Sequence, residues 1–236
     1  MAKQDIYELQ VRLRDYEQEI WRTVQVTEKQ SLAQLGYLLM STFEMKANHQ
    51  FEFQRRYQLD PLPGINPWAD TRLHMRRWVI PSPWDDEMAG IQTLNVTQTT
   101  IKDVFATESD IIFVYDMGDE WTILCHLVRV FNDPEVPAYQ LPRITDGQGY
   151  GIMEDAGGTG GMHDKLAALA DPRNPEHDDI ADWLGTDDVD INYFELESAN
   201  KRLRTLAPAF ERLYEHGQQL SLGAERMLRR GLPRKS

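Results

Sequence analysis

An α+β fold is predicted for this chain of 236 residues, and three observations predict it. Strand-like alternation dominates the first half of the chain. Two apolar, β-branched runs, Ile111–Val114 and Ile123–Val128, flank the connection Tyr115-Asp116-Met117-Gly118-Asp119-Glu120-Trp121 and read as a β-hairpin. Beyond residue 160 the pattern is helical. Strands early and helices late pack as an α+β domain, because each kind of element must bury its apolar face against another.

From the N-terminus, Ile6 to Leu13 sets Tyr7, Leu9, Val11 and Leu13 against Glu8, Gln10 and Arg12, the period of a half-buried strand. A second strand runs from Ile20 to Val26, with Ile20, Arg22, Val24 and Val26 on one face. Ser31 caps a helix whose Leu32, Leu35, Leu38, Leu39 and Phe43 recur at helical spacing. His49 to Tyr57 returns to alternation, with Phe51, Phe53 and Arg55 on one side.

Residues 60–90 carry Pro61, Pro63, Pro67, Pro81 and Pro83 together with Trp68, Trp78 and Trp84. Prolines at this density preclude long regular elements, so a packed insertion is expected, with a short helix or strand near Arg72 to Ile80. Arg72, His74, Arg76 and Arg77 beside Trp78 form its basic patch. Guanidinium and indole together stack on bases in nucleic-acid binders; the structural alternative is packing on the protein's own surface.

Thr100 to Phe105 reads as a short helix feeding the hairpin. After Asp133-Pro134 and Val136-Pro137 comes a Gly-rich connection, residues 147–161, which holds Glu154-Asp155-Ala156-Gly157-Gly158. Helices are expected over Met162–Ala170, Glu176–Leu184 and Phe194–Leu206. Pro208 is expected to end or kink the last of these, with Phe210 to Arg230 continuing helically. The organisation is then a mainly β part (1–132) with one helix and a Trp/Pro-rich insertion at 58–92. An acidic, Gly-rich and helical part (133–236) completes one integrated domain.

Apolar residues make up 41% of the chain, ample for a core. No run of about 18 apolar residues exists, and Met1 to Ile6 lacks the apolar stretch of a signal peptide. Cys125 is the single cysteine, which excludes an internal disulfide and a cysteine-cluster zinc site. A cytoplasmic location is the expectation. The formal charge of −13 disfavours generic nucleic-acid binding. That charge is uneven: Asp146 to Glu197 holds fourteen acidic residues, and the segment from Lys201 onward holds nine basic ones. No feature specifies an oligomeric state.

The same residues carry a family likeness. The strand–strand–helix–strand order precedes Tyr115-Asp116-x-Gly118-Asp119-x-Trp121. Glu154-Asp155-x-Gly157-Gly158 follows, then acidic helices containing Leu169-Ala170-Asp171-Pro172. With Ile20-Trp21-Arg22 and Leu32-x-x-Leu35, this resembles the plasmid pRiA4b open-reading-frame-three family, over roughly residues 5 to 205. Some members are described as passenger proteins of insertion sequences. The resemblance implies a mixed, partly open, barrel-like sheet with helices packed on it, and no known activity. Where the family often has histidine two residues after the hairpin tryptophan, this chain has Ile123. A His-x-His-x-Phe pattern becomes Ala47-Asn48-His49-Gln50-Phe51, and family cysteine positions fall at Ile144, Gly151 and Ala156. If those positions form a metal or redox site in relatives, most of its ligands are replaced here.

Asp116, Asp119, Glu154, Asp155 and His49 remain as candidate catalytic or metal-binding residues. Four carboxylates and an imidazole suit a hard divalent cation that positions a water. The structural alternative is that aspartates in tight turns accept backbone N–H bonds and that carboxylates near Gly-Gly cap the next helix. The Gly-rich segment lacks the Gly-Lys-Ser/Thr ending of a phosphate loop. Cys125 and His126 are adjacent in a strand and face opposite sides, so they are no Cys–His pair.

The leading expectation is a cytoplasmic accessory protein that binds an unidentified protein partner, without a cofactor and without catalytic activity. The alternatives are a divalent-metal-dependent hydrolase or nuclease built on the carboxylates, and a nucleic-acid-binding accessory protein using Arg72, Arg76, Arg77, Trp78 and the C-terminal arginines.

Overall fold

The chain forms strands β1 (Ile6–Leu13), β2 (Trp21–Thr27), β3 (Phe51–Arg56), β4 (Met75–Val79), β5 (Ile91–Asn95), β6 (Asp110–Tyr115), β7 (Trp121–Phe131) and β8 (Arg143–Gln148), of which β1, β2 and β3 carry the alternation read in the sequence. The computed structural model describes residues 4–17, 19–57, 72, 74–83, 88–229 and 231–235. Among these residues the strands form one sheet in the order β5-β4-β3-β6-β7-β1-β2-β8. It is mixed and open: β4 and β5 run parallel, the other neighbours are antiparallel, and β5 and β8 are the two edges. The fold is α+β, as expected. Most of the proline-rich insertion, with Trp68 and Trp84, lies outside the described residues.

Helix α1 (Leu32–Thr42) is buried along nearly its whole length because it lies between the sheet and α5 (Leu196–His216). A helix that is apolar all round is a core helix. Its start is set by a capping box: Ser31 Oγ accepts from Gln34 N and Gln34 Oε1 accepts from Ser31 N. A second capping box, between Thr100 and Asp103, opens α2 (Ile101–Val104). The remaining helices are α3 (Gly158–Ala170), α4 (His177–Leu184) and α6 (Leu222–Leu228).

Three expectations need correction. Helix α5 runs through Pro208 to His216, since Leu203, Leu206, Ala209 and Phe210 around the proline are all buried. Packing of that face outweighs the lost N–H. The helix stops instead at Gly217, whose φ of 62° makes a left-handed cap, and α6 restarts from the Ser221 cap. Residues 147–148, expected in the Gly-rich connection, end the edge strand β8 on β2, where no strand was expected. Residues 91–92, expected at the end of the insertion, open the strand β5 (Ile91–Asn95) on β4, which was not expected.

The β8 edge is closed by a side chain. Asn200 Oδ1 accepts from Ile144 N (3.0 Å) and Asn200 Nδ2 donates to Ile144 O (2.9 Å). The amide of α5 thus takes the place of a further strand, which blocks edge-to-edge pairing.

On the outer face of the sheet, Glu8 accepts from Arg129 (2.7 and 3.1 Å) and from Gln25 (2.8 Å). The Arg129 hydrogen bonds, backed by Gln25, hold the Glu8 carboxyl below its ordinary range against the opposing effect of burial. A carboxyl depressed in the folded state contributes stability above its unfolded value, and that contribution is lost as pH falls through the folded value. Glu8→Gln should therefore narrow the gap between urea midpoints measured at neutral and acid pH. An unchanged gap would remove Glu8 from the acid limb.

Candidate functional site

The hairpin connection is a five-residue turn between Tyr115 and Trp121, which face each other across β6 and β7. Its left-handed positions are Asp116 (φ 60°) and Glu120 (φ 51°), not Gly118. Asp116 tolerates this because Asx side chains hydrogen-bond locally: Gly118 N donates to Asp116 Oδ1 at 2.9 Å. Glu120 N donates to Asp116 O at 2.7 Å and closes the turn. Trp121 is fully buried.

The Gly-rich loop folds against this turn. Gly157 N donates to Asp119 Oδ2 at 3.1 Å. At Gly158 (φ 69°) an added Cβ would lie 2.5 Å from Asp119 O, so only glycine lets loop and turn meet. Glu154 points inward and is 4% exposed. Its Oε1 accepts from Lys46 N (2.7 Å) and from the Tyr115 hydroxyl. Tyr115 also accepts from Asn48 N (3.1 Å), and the Tyr214 hydroxyl of α5 donates to His49 O. Burial first, then the Glu154 carboxylate, pushes the Tyr115 hydroxyl well above its ordinary value, so it remains a proton donor.

His49 lies between two of the aspartates. Its Nδ1 is 3.5 Å from Asp116 Oδ2, its Nε2 is 3.8 Å from Asp155 Oδ1, and its ring meets Tyr115 edge-on. The structure thus brings His49, Asp116, Asp119, Glu154 and Asp155 together from three separate segments. The two imidazole nitrogens face opposite carboxylates, so they do not converge on one point. Among the described residues no group of three or more His, Cys, Asp and Glu side chains is arranged to hold a metal ion.

The other candidates lie elsewhere. Trp78 is 3% exposed and packs in the core, so its indole offers no face to a base. Arg76 Nε donates to Gln92 (2.8 Å) with its guanidinium over Tyr57, and Arg77 Nε donates to Thr93 (3.0 Å). Arg72 is half-buried beside the turn at Gly90. His126 is exposed and 2.8 Å from Asp110, while Cys125 is buried on the opposite face.

Sequence reasoning missed the organising role of Arg22, which is 1% exposed. Its Nη1 donates to Trp21 O (2.7 Å) and Gln148 O (2.6 Å), and its Nη2 to Gly149 O (2.8 Å), Tyr150 O (2.8 Å) and Thr42 O (3.2 Å). Nε reaches Thr42 Oγ1 at 3.2 Å, and the guanidinium lies over Phe43 and Phe194. Burial pulls the group down to about 9, opposed by Glu44, and it stays charged at neutral pH. Glu44 in turn pairs with buried Arg202 at 2.9 Å. The signal was a charged residue on the inward face of an alternating strand.

The model of the plasmid pRiA4b ORF-3-like protein family matches residues 5–198. The chain belongs to the plasmid pRiA4b ORF-3-like family. It is similar to the uncharacterised protein y4hQ of Sinorhizobium fredii (strain NBRC 101917 / NGR234), at 27% identity over 207 residues, covering 88% of this chain and 95% of that protein. The crystal structure of MM3350, a protein of unknown function from Methanosarcina mazei Go1, shares the fold. Its TM-score is 0.65 at 23% identity, covering 83% of this chain and 97% of the other.

Apart from His49, the positions at which the resemblance to this pRiA4b ORF-3-like family implies histidine or cysteine are filled here by apolar groups or by no side chain. Ile123, Ile144 and Ala156 are buried in the core. At Gly151 an added Cβ would lie 2.6 Å from Phe43 O. The family match ends three residues into α5, so most of α5 and all of α6 lie beyond it.

Proposed function

We infer that this pRiA4b ORF-3-like protein is a cytoplasmic, non-enzymatic accessory protein of mobile-element type that works by binding a protein partner. The observation that carries the reading is the way the carboxylates are used. Asp116 closes its own turn, Asp119 holds the Gly-rich loop, and Glu154 anchors the segment before β3. They clasp three chain segments together.

The partner surface is a groove of about 1330 Å³ between α5 and residues 138–144. Tyr139 on its wall is 84% exposed. Leu196 and Pro142 supply apolar wall, and Glu195, Glu197 and Glu211 line it together with Lys29, Arg143 and Arg204. This mixed lining, with Tyr139 exposed on it, supports a partly apolar protein segment that carries both signs of charge as the partner. No helix among the described residues is long and apolar enough to cross a membrane.

A metal-dependent hydrolase or nuclease is the second reading, favoured by the place of His49 between Asp116 and Asp155. Thermal unfolding with Mn²⁺ and Mg²⁺ separates the two. Asp116→Asn with Asp119→Asn keeps an amide oxygen for each N–H bond, so this variant should melt close to the unsubstituted protein. Neither cation should shift either protein. A rise in melting temperature that the double variant lacks would replace the accessory reading with the hydrolase.

A further inference from the structure

We propose that the chain after α5 is a basic strap that folds back over the acidic half of the protein and opens reversibly about Gly217, uncovering an apolar recess. The strap runs from Gly217 to Lys235 and carries α6. It lies beyond the residues matched by the family model.

Strap and body are loosely joined. A cavity of about 690 Å³ is lined by Leu220, Leu228 and Leu232 from the strap and by Tyr150, Ile152 and Met153 from the body. Side chains that border a void lack packing partners there, so they hold the strap less firmly than a close-packed interface does. Among the described residues of the strap only Ala224 is fully buried, and Leu222 is 72% exposed. Met227 O accepts from Arg202 Nη1 (2.9 Å), and Pro233 O accepts from Asp190 N (2.8 Å). Gly217 is the hinge: its φ of 62° ends α5 in the left-handed region, and Gln218 and Gln219 beyond it are exposed. A segment with so few buried contacts opens at a fraction of the free energy of global unfolding.

Charge supplies the rest of the attachment. The strap carries Arg226, Arg229, Arg234 and Lys235 against Glu225. The bond from Asp190 to Pro233 seats the next residues, Arg234 and Lys235, at the turn that holds Asp187, Asp188 and Asp190. Helix α4, just before that turn, adds Asp178, Asp179 and Asp182. Exposed opposite charges attract over about 10 Å in roughly 0.1 M salt and are screened as salt rises. The recess is therefore covered at low ionic strength and increasingly uncovered at high. This gives a role to the opposite charges of the two blocks read in the sequence, and it does not depend on partner binding at the α5 groove.

Hydrogen exchange of the full chain in low and high salt tests the strap. Amides of α6 should exchange at least about tenfold faster than those of α5 near Leu206, and faster again in high salt, with α5 unchanged. Arg234→Glu with Lys235→Glu, both exposed, should give the fast α6 exchange already in low salt. Peroxide footprinting reads the recess itself. Oxidation of Met153 to the sulfoxide should accelerate together with α6 exchange, whereas that of Met162, wholly buried in the core, should not. Amides of α6 as protected as those of α5 would overturn the strap, because α6 would then open only with the whole domain. Fast exchange of α6 that ignores both salt and the charge reversal would overturn it as well, leaving a frayed terminus. So would Met153 oxidation that stays constant while α6 opens.

Discussion

Arg22→Met should lower the free energy of unfolding by about 3–5 kcal/mol, the scale of leaving several buried polar groups without their partner. For a chain of this size that corresponds to a fall of roughly 10 °C in melting temperature. The argument rests on the number of acceptors this one guanidinium serves. The carbonyls of Trp21, Thr42, Gln148, Gly149 and Tyr150 all point at it. Methionine fills the volume and donates nothing. Arg22→Lys is the sharper comparison, because lysine keeps the charge and has three donors in place of a planar fork. It should lose nearly as much as Arg22→Met in urea unfolding. A lysine variant within about 1 kcal/mol of the unsubstituted protein would show that charge, not hydrogen-bond geometry, holds the Gly-rich strand end in place.

Arg202→Met should cost about 3–5 kcal/mol for a related reason. Arg202 and Glu44 are both nearly fully buried and pair at 2.9 Å. Arg202 also donates to Ser41 O (3.2 Å) and Met227 O (2.9 Å), and so ties α1 and α6 to α5. Removing the cation leaves a carboxylate in the interior without its closest counter-charge. A double change, Arg202→Met with Glu44→Gln, removes both charges and should recover part of the loss. Strict additivity of the two single effects would mean that the pair is not coupled, and that the main-chain bonds carry the whole cost.

Those two arginines mark the limit of what could be read from the chain. Elements defined by local pattern were legible: β1 and β2 by alternation, α1 by Ser31 and its leucines, and the β6–β7 hairpin by paired apolar runs. Elements defined by distant partners were not. Residues 143–148 carry Gly147 and little alternation, and they become a strand because β2 offers an edge and Asn200 covers the other side. Pro208 carries a strong local stop signal, overridden by the buried face of α5.

The candidate site shows the same division. Asp116, Asp119, Glu154, Asp155 and His49 stood out as residue types. Their meeting depends on Gly158 at a contact between turn and loop that no local pattern encodes. Tyr214 was invisible because it reaches the site from a helix far along the chain, where nothing in its neighbourhood hints at His49. The turn chemistry of Asp116 was legible, although the left-handed residue proved to be the aspartate and not the glycine.

The position of β1 in the sheet has a consequence for how the chain is made. It lies between β2 and β7, with Ile6 paired to Phe131, so this strand acquires its second neighbour only after β2 to β6 have been synthesised. During translation the nascent β1–β2 hairpin leaves the ribosome with an open side bearing Leu9 and Val11. Such long-range pairing slows folding and leaves strand edges exposed to other nascent chains. Slowing elongation between residues 30 and 120 would lengthen that interval, and chaperone dependence in cells should rise with it.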